Sequence, residues 1–202
     1  MTSQQLVDFV GNSNKIEGIV GDDEIKQSIK AWQYLSKQRQ LTHEVILKTH
    51  EIIMQNLNPK IAGEYRKNNV GVFANGVMIH KCLRWELVLE HMDSYIGRYK
   101  EGIVAGEKGT RELNKDCKQA HIEFERIHPF EDGNGRVGRL LWLWMRERLC
   151  LPFRYIRSKD KAKYYDWFMT DKERHNLALA QEERAKEFME MLISSSKDLK
   201  GD

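Results

Sequence analysis

Proline is nearly missing from this chain, with three residues in 202, and cysteine is equally scarce at three. So few prolines leave long stretches able to run as unbroken helix. The cysteines, Cys82, Cys117 and Cys150, are widely spaced, form no metal-ligand pair and leave one over. That argues against a secreted disulfide framework and reads them as small core residues in helix-like segments. No apolar run approaches the length of a membrane span. Met1 to Gln5 lack the basic-then-apolar pattern of a leader, so the expectation is a cytoplasmic protein without a membrane association. Excess charge of one sign is also lacking: the net charge is +3, too little for a dedicated nucleic-acid binder. What remains is 41% hydrophobic and 31% charged, ordinary for a globular chain, and long enough for one domain or one domain with an arm.

Helical periodicity dominates. Asp22 or Asp23 is placed to cap a helix running to about Gln38. Thr42 is placed to cap another, with Ile46, His50, Ile53 and Leu57 on one face and Asn58-Pro59 as its stop. Residues 67–80 change character. Val70 to Phe73 and Val77 to Ile79 flank Ala74-Asn75-Gly76, and Asn-Gly between apolar β-formers predicts a hairpin. Trp85, Val88, Leu89, Met92, Ile96 and Tyr99 line the next helix, and Gly102 to Gly109 read as a loop. Cys117, Ala120, His121, Phe124 and Ile127 then repeat at helix spacing, with His128 extending that face. Val137, Leu140, Leu141, Trp144 and Met145 mark a helix to about Leu149, and a charged helical region covers roughly 160–196 before a polar tail. The expected class is all-α with one β-hairpin, organised as a helical region over 1–40, a main domain over 41–196 and a tail over 197–202. Trp32, Trp142 and Trp167 are read as exposed aromatics, for an interface or for the core.

The chemistry concentrates in His128-Pro129-Phe130-Glu131-Asp132-Gly133-Asn134-Gly135-Arg136-Val137-Gly138-Arg139. A loop entering a helix N-terminus presents unpaired N–H groups and the positive end of the helix dipole. Anions bind there, the more closely where glycines admit them, so Gly133, Asn134 and Gly135 read as a phosphate cradle. Arg136 and Arg139, three apart, are placed to reach the same phosphates with forked donors. Asp132 is placed to hold a Mg²⁺ that bridges them. His128, with an ordinary pKa near ~6.5, suits a general base that activates a hydroxyl. Two simpler matches fail. Gly133 to Gly138 fits the dinucleotide pattern G-x-G-x-x-G, but a helix precedes it rather than a strand. Glu125-x-x-His128 fits half of a di-iron site, and no second copy exists.

Those twelve residues resemble, position by position, the signature of the Fic family, His-x-Phe-x-Asp/Glu-Gly-Asn-Gly-Arg-x-x-Arg. Ala62-Gly63-Glu64-Tyr65-Arg66 is similar to the family's segment before a flap hairpin, and Lys163-Tyr164-Tyr165 to one near an adenine pocket. The resemblance implies a helical core with a flap, and a protein adenylyltransferase that moves AMP from ATP to a Tyr, Thr or Ser hydroxyl of a target protein. It implies His128 as the base, Asp132 as the Mg²⁺ ligand, and Gly133, Asn134, Gly135, Arg136, Val137, Gly138, Arg139, Tyr164 and Tyr165 around the nucleotide, with Arg139 on the γ-phosphate. Val72, Phe73, Ala74 and Asn75 would dock the target by strand addition.

Near the N-terminus, Ser13-Asn14-Lys15-Ile16-Glu17-Gly18 resembles an inhibitory Ser/Thr-x-x-x-Glu-Gly/Asn motif of many Fic proteins. Ser13 and Glu17 are four apart and share a helix face. The resemblance implies that Glu17 pairs with Arg139 in the place of the γ-phosphate, and that the same site is able to remove AMP with Glu17 activating water. It also implies self-modification and a homodimer. Two alternatives stand beside it: a Fic-type transferase with another nucleotide or a phosphocholine donor, and a nucleotide-binding interaction module without catalysis.

Overall fold

Thr2 opens the first helix with a reciprocal cap: its hydroxyl accepts from Gln5 N–H at 3.2 Å and its own N–H donates to the Gln5 side chain at 2.8 Å. The computed structural model describes residues 1–74 and 77–198, and for 73–74, 77–81 and 192–198 the backbone alone. That first helix, α1, spans Ser3–Ile16 and ends where Gly18 turns left-handed at φ 76°. Helix α2 covers Asp22–Leu35. Its cap is Gly21, while Asp22 and Asp23 lie inside the first turn against the dipole, and it stops short of Gln38. Helix α3, His43–Met54, begins as expected, with the Thr42 hydroxyl accepting from Val45 N–H at 3.2 Å. It ends before Asn58-Pro59, because residues 55–63 leave it through successive turns.

A 3₁₀ turn at Trp85–Leu87 leads into α4, Val88–Tyr99. Helix α5, Thr110–Ile127, buries Leu113, Cys117, Ala120, His121, Phe124 and Ile127, the face its spacing predicted. Helix α6, Asn134–Arg148, is buried at every position from Arg136 to Arg146 and packs against α1, α2, α3 and α5. It is the central rod of the core. Each fully buried Leu or Val along it contributes ~1.5–3 kcal/mol, so Leu140→Ala is the kind of change that would loosen the whole bundle. The final helical region is broken: a 3₁₀ turn at Ser158–Asp160, α7 over Lys161–Tyr165, then α8 over Asp171–Asp198. Helix therefore continues through Asp198, and residues 199–202 of the expected tail lie outside the described residues.

The backbone divides into two units. Residues 1–70 and 82–168 form the first, so α1 and α2 share a core with α3 to α6. The second contains the hairpin and the segment from Met169. Strand β1, Gly71–Ala74, pairs antiparallel with β2, Val77–Lys81. Its register runs Gly71 to Lys81 and Val72 to His80, then Phe73 to Met78 and Ala74 to Val77, with an irregularity between Val72 and Phe73. Asn75 and Gly76 lie outside the described residues.

Three expectations fail on packing. Of the three tryptophans read as exposed, Trp32 and Trp142 are buried in the core, and Trp167 keeps part of its ring in solvent. Cys82 follows β2 rather than sitting in a helix. Cys150 is exposed, just past α6 and left-handed at φ 50°. Among the described residues, no helix is long and apolar enough to cross a membrane.

Candidate active site

Helix α5 does not carry His128 on its face. It ends one residue earlier, and His128 is its C-cap, left-handed at φ 50° and ψ 62°. A side-chain-bearing residue in that conformation costs ~1–2 kcal/mol, so the surrounding structure must hold it there. Arg66 does so. Its backbone N–H donates to Pro129 O at 2.9 Å, its Nε to His128 O at 2.7 Å and its Nη2 to Ile127 O at 3.4 Å, with further bonds to the carbonyls of Asn68 and Leu83. One buried guanidinium thus ties down the chain as it leaves α5.

The five residues from Phe130 to Asn134 close on themselves. Phe130 N–H donates to Asn134 Oδ1 and Asn134 Nδ2 donates back to Phe130 O, both at 2.8 Å. His50 of α3 stacks on Phe130, centroids 3.7 Å apart and planes 2° from parallel. Its Nδ1 accepts from Gly63 N–H at 3.0 Å, so the proton sits on Nε2, which donates to Asp132 O at 3.0 Å. Burial depresses the His50 pKa to about 4 and keeps the ring neutral for that double role. Gly133 then turns the chain into α6 at φ 80°, where a Cβ would lie 3.0 Å from Met54 Sδ and 3.2 Å from the His50 ring.

The resulting loop offers three things. The first-turn N–H groups of α6 point out of the helix ahead of the first internal bond, from Val137 N to Gly133 O. Arg136 is buried, with Nη2 3.3 Å from Asp132 Oδ2 and 3.2 Å from Met54 Sδ, and among the described residues its Nε has no partner. His128 Nδ1 lies 3.2 Å from Glu125 O; a carbonyl only accepts, so Nδ1 carries a proton, and in the neutral form of the ring the lone pair lies on Nε2. The Asp132 carboxylate is largely exposed, taking Gly133 N–H on Oδ1 at 2.5 Å.

Arg139, 1% exposed, is fully engaged. Its Nε donates to Ser13 Oγ at 2.8 Å, its Nη2 to Ser13 O at 3.0 Å and to Glu17 Oε1 at 2.7 Å, and its Nη1 to Tyr164 Oη at 3.2 Å. Burial opposes that charge, but Tyr164 and Glu17 favour it, and the guanidinium stays above its usual pKa. The Glu17 carboxylate leans over Gly135: a Cβ there would collide with Glu17 Oε1 and lie 2.8 Å from Arg139 Nη1. Behind Arg139, burial raises the Glu125 pKa to about 8 and lowers that of His121 to about 3. These two, 4.0 Å apart, are therefore a neutral pair rather than a salt bridge.

The structure brings Ser13, Glu17, His128, Asp132, Gly133, Asn134, Gly135, Arg136 and Arg139 to the two ends of this loop and the helix that follows. Val137 belongs to the core and Gly138 is pressed against α5, so their side of α6 supports the loop instead of facing a ligand. Tyr164 is buried, its hydroxyl 2.9 Å from His121 Nε2, which suits it to orienting Arg139 rather than stacking on a base. Tyr165 keeps part of its ring exposed beside it. Val72, Phe73 and Ala74 form β1 of the second unit, and Asn75 lies outside the described residues. Sequence reading missed His50 and Glu125 as parts of the site; His50 appeared only as one more position on the α3 face.

Comparison with known proteins gives a consistent picture. The Fic/DOC family model matches residues 40–145. The chain is similar to the protein adenylyltransferase Fic of Aedes aegypti, 26% identical over 155 residues, covering 77% of this chain and 29% of that protein. With the protein of the same name from Drosophila erecta the identity is 28% over 161 residues, covering 76% and 27%. The chain thus spans less than a third of the length of these curated relatives. Among solved structures, a Fic domain containing signaling protein from Bacteroides thetaiotaomicron aligns with a TM-score of 0.68 at 25% identity, over 81% of this chain and 70% of that one. Fic-1 from C. elegans shares the fold, with a TM-score of 0.61 at 20% identity over 82% and 57%.

Proposed function

The chain belongs to the Fic/DOC family, and from that premise we propose that it transfers AMP from ATP to a hydroxyl side chain of a target protein and that Glu17 restrains it. The observation that carries the reading is an imidazole with its proton fixed on Nδ1 beside a preformed helix N-terminus lined by two buried arginines. The first-turn N–H groups of α6 and the unpartnered Arg136 Nε would take the α- and β-phosphates. His128 Nε2 would accept the hydroxyl proton as that oxygen bonds to the α-phosphorus. The α,β-bridging P–O bond breaks on the opposite side, and pyrophosphate leaves with its electrons. Positioning and charge neutralisation supply most of the rate in such chemistry.

Asp132 fits a Mg²⁺ ion. It is one exposed carboxylate beside the cradle, and among the described residues no group of three or more His, Cys, Asp or Glu gathers to hold a metal alone, so phosphate oxygens and water would complete the shell. When bound, the ion neutralises phosphate charge. The hairpin, with two strand edges, would take the target backbone by strand addition.

Glu17 occupies Arg139, which by position would meet the γ-phosphate, so ATP and Glu17 compete for one guanidinium. A second reading uses the same carboxylate: leaning over Gly135, it is suited to activating water for removal of AMP from a modified protein. The test is intact-mass spectrometry after incubation with ATP, UTP or GTP and magnesium, with the protein itself as first acceptor. Expected is an AMP adduct with ATP alone, larger in Glu17→Gly and missing in His128→Ala. No adduct with any nucleotide in Glu17→Gly, on the protein itself or on proteins of a cell extract, would overturn the transferase reading.

A further inference from the structure

A second concentration of positive charge lies in the first unit, away from the loop. Between α5, α6 and residues 154–167 runs a cleft of about 510 Å³. Six lining residues are cationic: Lys115, Lys118, Arg146, Arg154, Arg157 and Lys163. The single acidic one, Asp160, is engaged by Arg157 Nε at 2.6 Å. Among the described residues the other five have no carboxylate within ion-pair distance.

Arg146 is the sharpest case. It is 2% exposed, yet among the described residues its donors meet neutral acceptors only, Nη1 on Asn114 Oδ1 and Nη2 on Pro152 O, and its Nε has no partner. A cation desolvated without a counter-ion is unfavourable, and burial accordingly pulls its pKa below the usual value. Aromatic rings hold the charges in place: Arg146 lies 4.8 Å above the Trp142 ring and Lys118 4.5 Å above Trp167. Tyr155 and Trp167 keep part of their rings exposed along the wall.

The cleft shares no residue with His128–Arg139. Lys118 lies ~15 Å back along α5 from His128, and Arg146 ~18 Å along α6 from Asn134, at 1.5 Å rise per residue. The volume falls inside the ~300–1,000 Å³ of small-molecule sites. We propose that this cleft is a second anion site taking a nucleoside mono- or diphosphate, its phosphates on Lys118, Arg146 and Arg154 and its base along Tyr155 and Trp167. Tyr164 links it to the loop: it lines the cleft and its hydroxyl accepts from Arg139.

Indole N–H resonances locate the binding directly. The chain has five tryptophans, and Trp142→Phe and Trp167→Phe variants assign the two at the cleft. Titration with AMP or ADP, without magnesium, should shift both signals saturably. The double variant Lys118→Ala/Arg154→Ala should raise the apparent Kd at least tenfold. The shifts should persist in Arg136→Ala, where the loop loses a phosphate ligand. Three results would overturn the proposal: no saturable shift at either indole, shifts that vanish in Arg136→Ala and so report the loop, or inorganic phosphate matching ADP at equal concentration, which reduces the site to a bare phosphate pocket.

Discussion

Glu17→Gly isolates one bond. In the structure Arg139 makes four hydrogen bonds, and the substitution removes the one to a carboxylate, at 2.7 Å, while leaving both Ser13 contacts and Tyr164. Glu17 lies beyond the last residue of α1, so glycine there does not interrupt the helix. A hydrogen bond to a charged group contributes ~1.5–3 kcal/mol. If Glu17 and the γ-phosphate compete for the guanidinium, that energy is the bias against productive ATP binding. Each 1.36 kcal/mol being tenfold, transfer should rise ~10- to 150-fold. Stability should fall by a similar ~1.5–3 kcal/mol, at ~2–4 °C per kcal/mol for a chain of this size. Glu17→Gln keeps an acceptor but no charge and should fall between the two. The assay is transfer of label from α-labelled ATP, run beside thermal unfolding of the same preparations. A Glu17→Gly protein that melts earlier by this amount, proving the pair broken, yet transfers label at the wild-type rate would refute the competition and leave the pair a purely structural one.

Other outcomes follow from the same geometry. His128→Ala should lower turnover by more than ~10²-fold with ATP affinity unchanged, and His128→Asn, which tolerates the left-handed backbone better, should be as inactive but no less stable; rates and nucleotide titrations on both check this. Arg66→Ala removes bonds to four carbonyls and should cost about 3 kcal/mol, measurable in urea, with activity lost because the loop relaxes. Stability should vary with pH in two limbs. His50 and His121, with folded pKa values of about 4 and about 3, bind fewer protons than the unfolded chain below ~6.5, so stability rises with pH up to that point. Glu125, raised to about 8, binds more protons folded than unfolded from ~4.5 upward, so as the unfolded histidines lose their protons above pH 6.5 its term takes over and stability falls toward pH 8, by at most ~1.4 kcal/mol per unit. In Glu125→Gln that upper limb should flatten; a descent unchanged from wild type in melts between pH 6.5 and 8 would contradict the buried neutral carboxyl.

The loop was legible because its donors, base and carboxylate are consecutive residues, and contiguity is what a sequence displays. Its braces were not. Arg66 grips His128 across 62 positions and His50 grips Asp132 across 82, and neither residue type nor spacing announces such a contact. The helices were read well where one face alone is buried, as in α5, and poorly at their ends, where Gly21 took the cap expected of an aspartate. His128 was read onto the α5 face because periodicity carries no sign of a left-handed turn. Trp142 was left between interface and core because α6 is enclosed on all sides, and an enclosed helix has no polar stripe to give its orientation away.

Asn134 followed by Gly135 is the pairing at which polypeptides age fastest, since a bare glycine nitrogen readily attacks the neighbouring carboxamide and releases ammonia. Here that carboxamide is committed at both ends to Phe130, so folding itself stops the clock. Were it to run, the product would set a carboxylate oxygen against Phe130 O where an N–H now donates, and the clasp that closes the loop would be lost with a single amide.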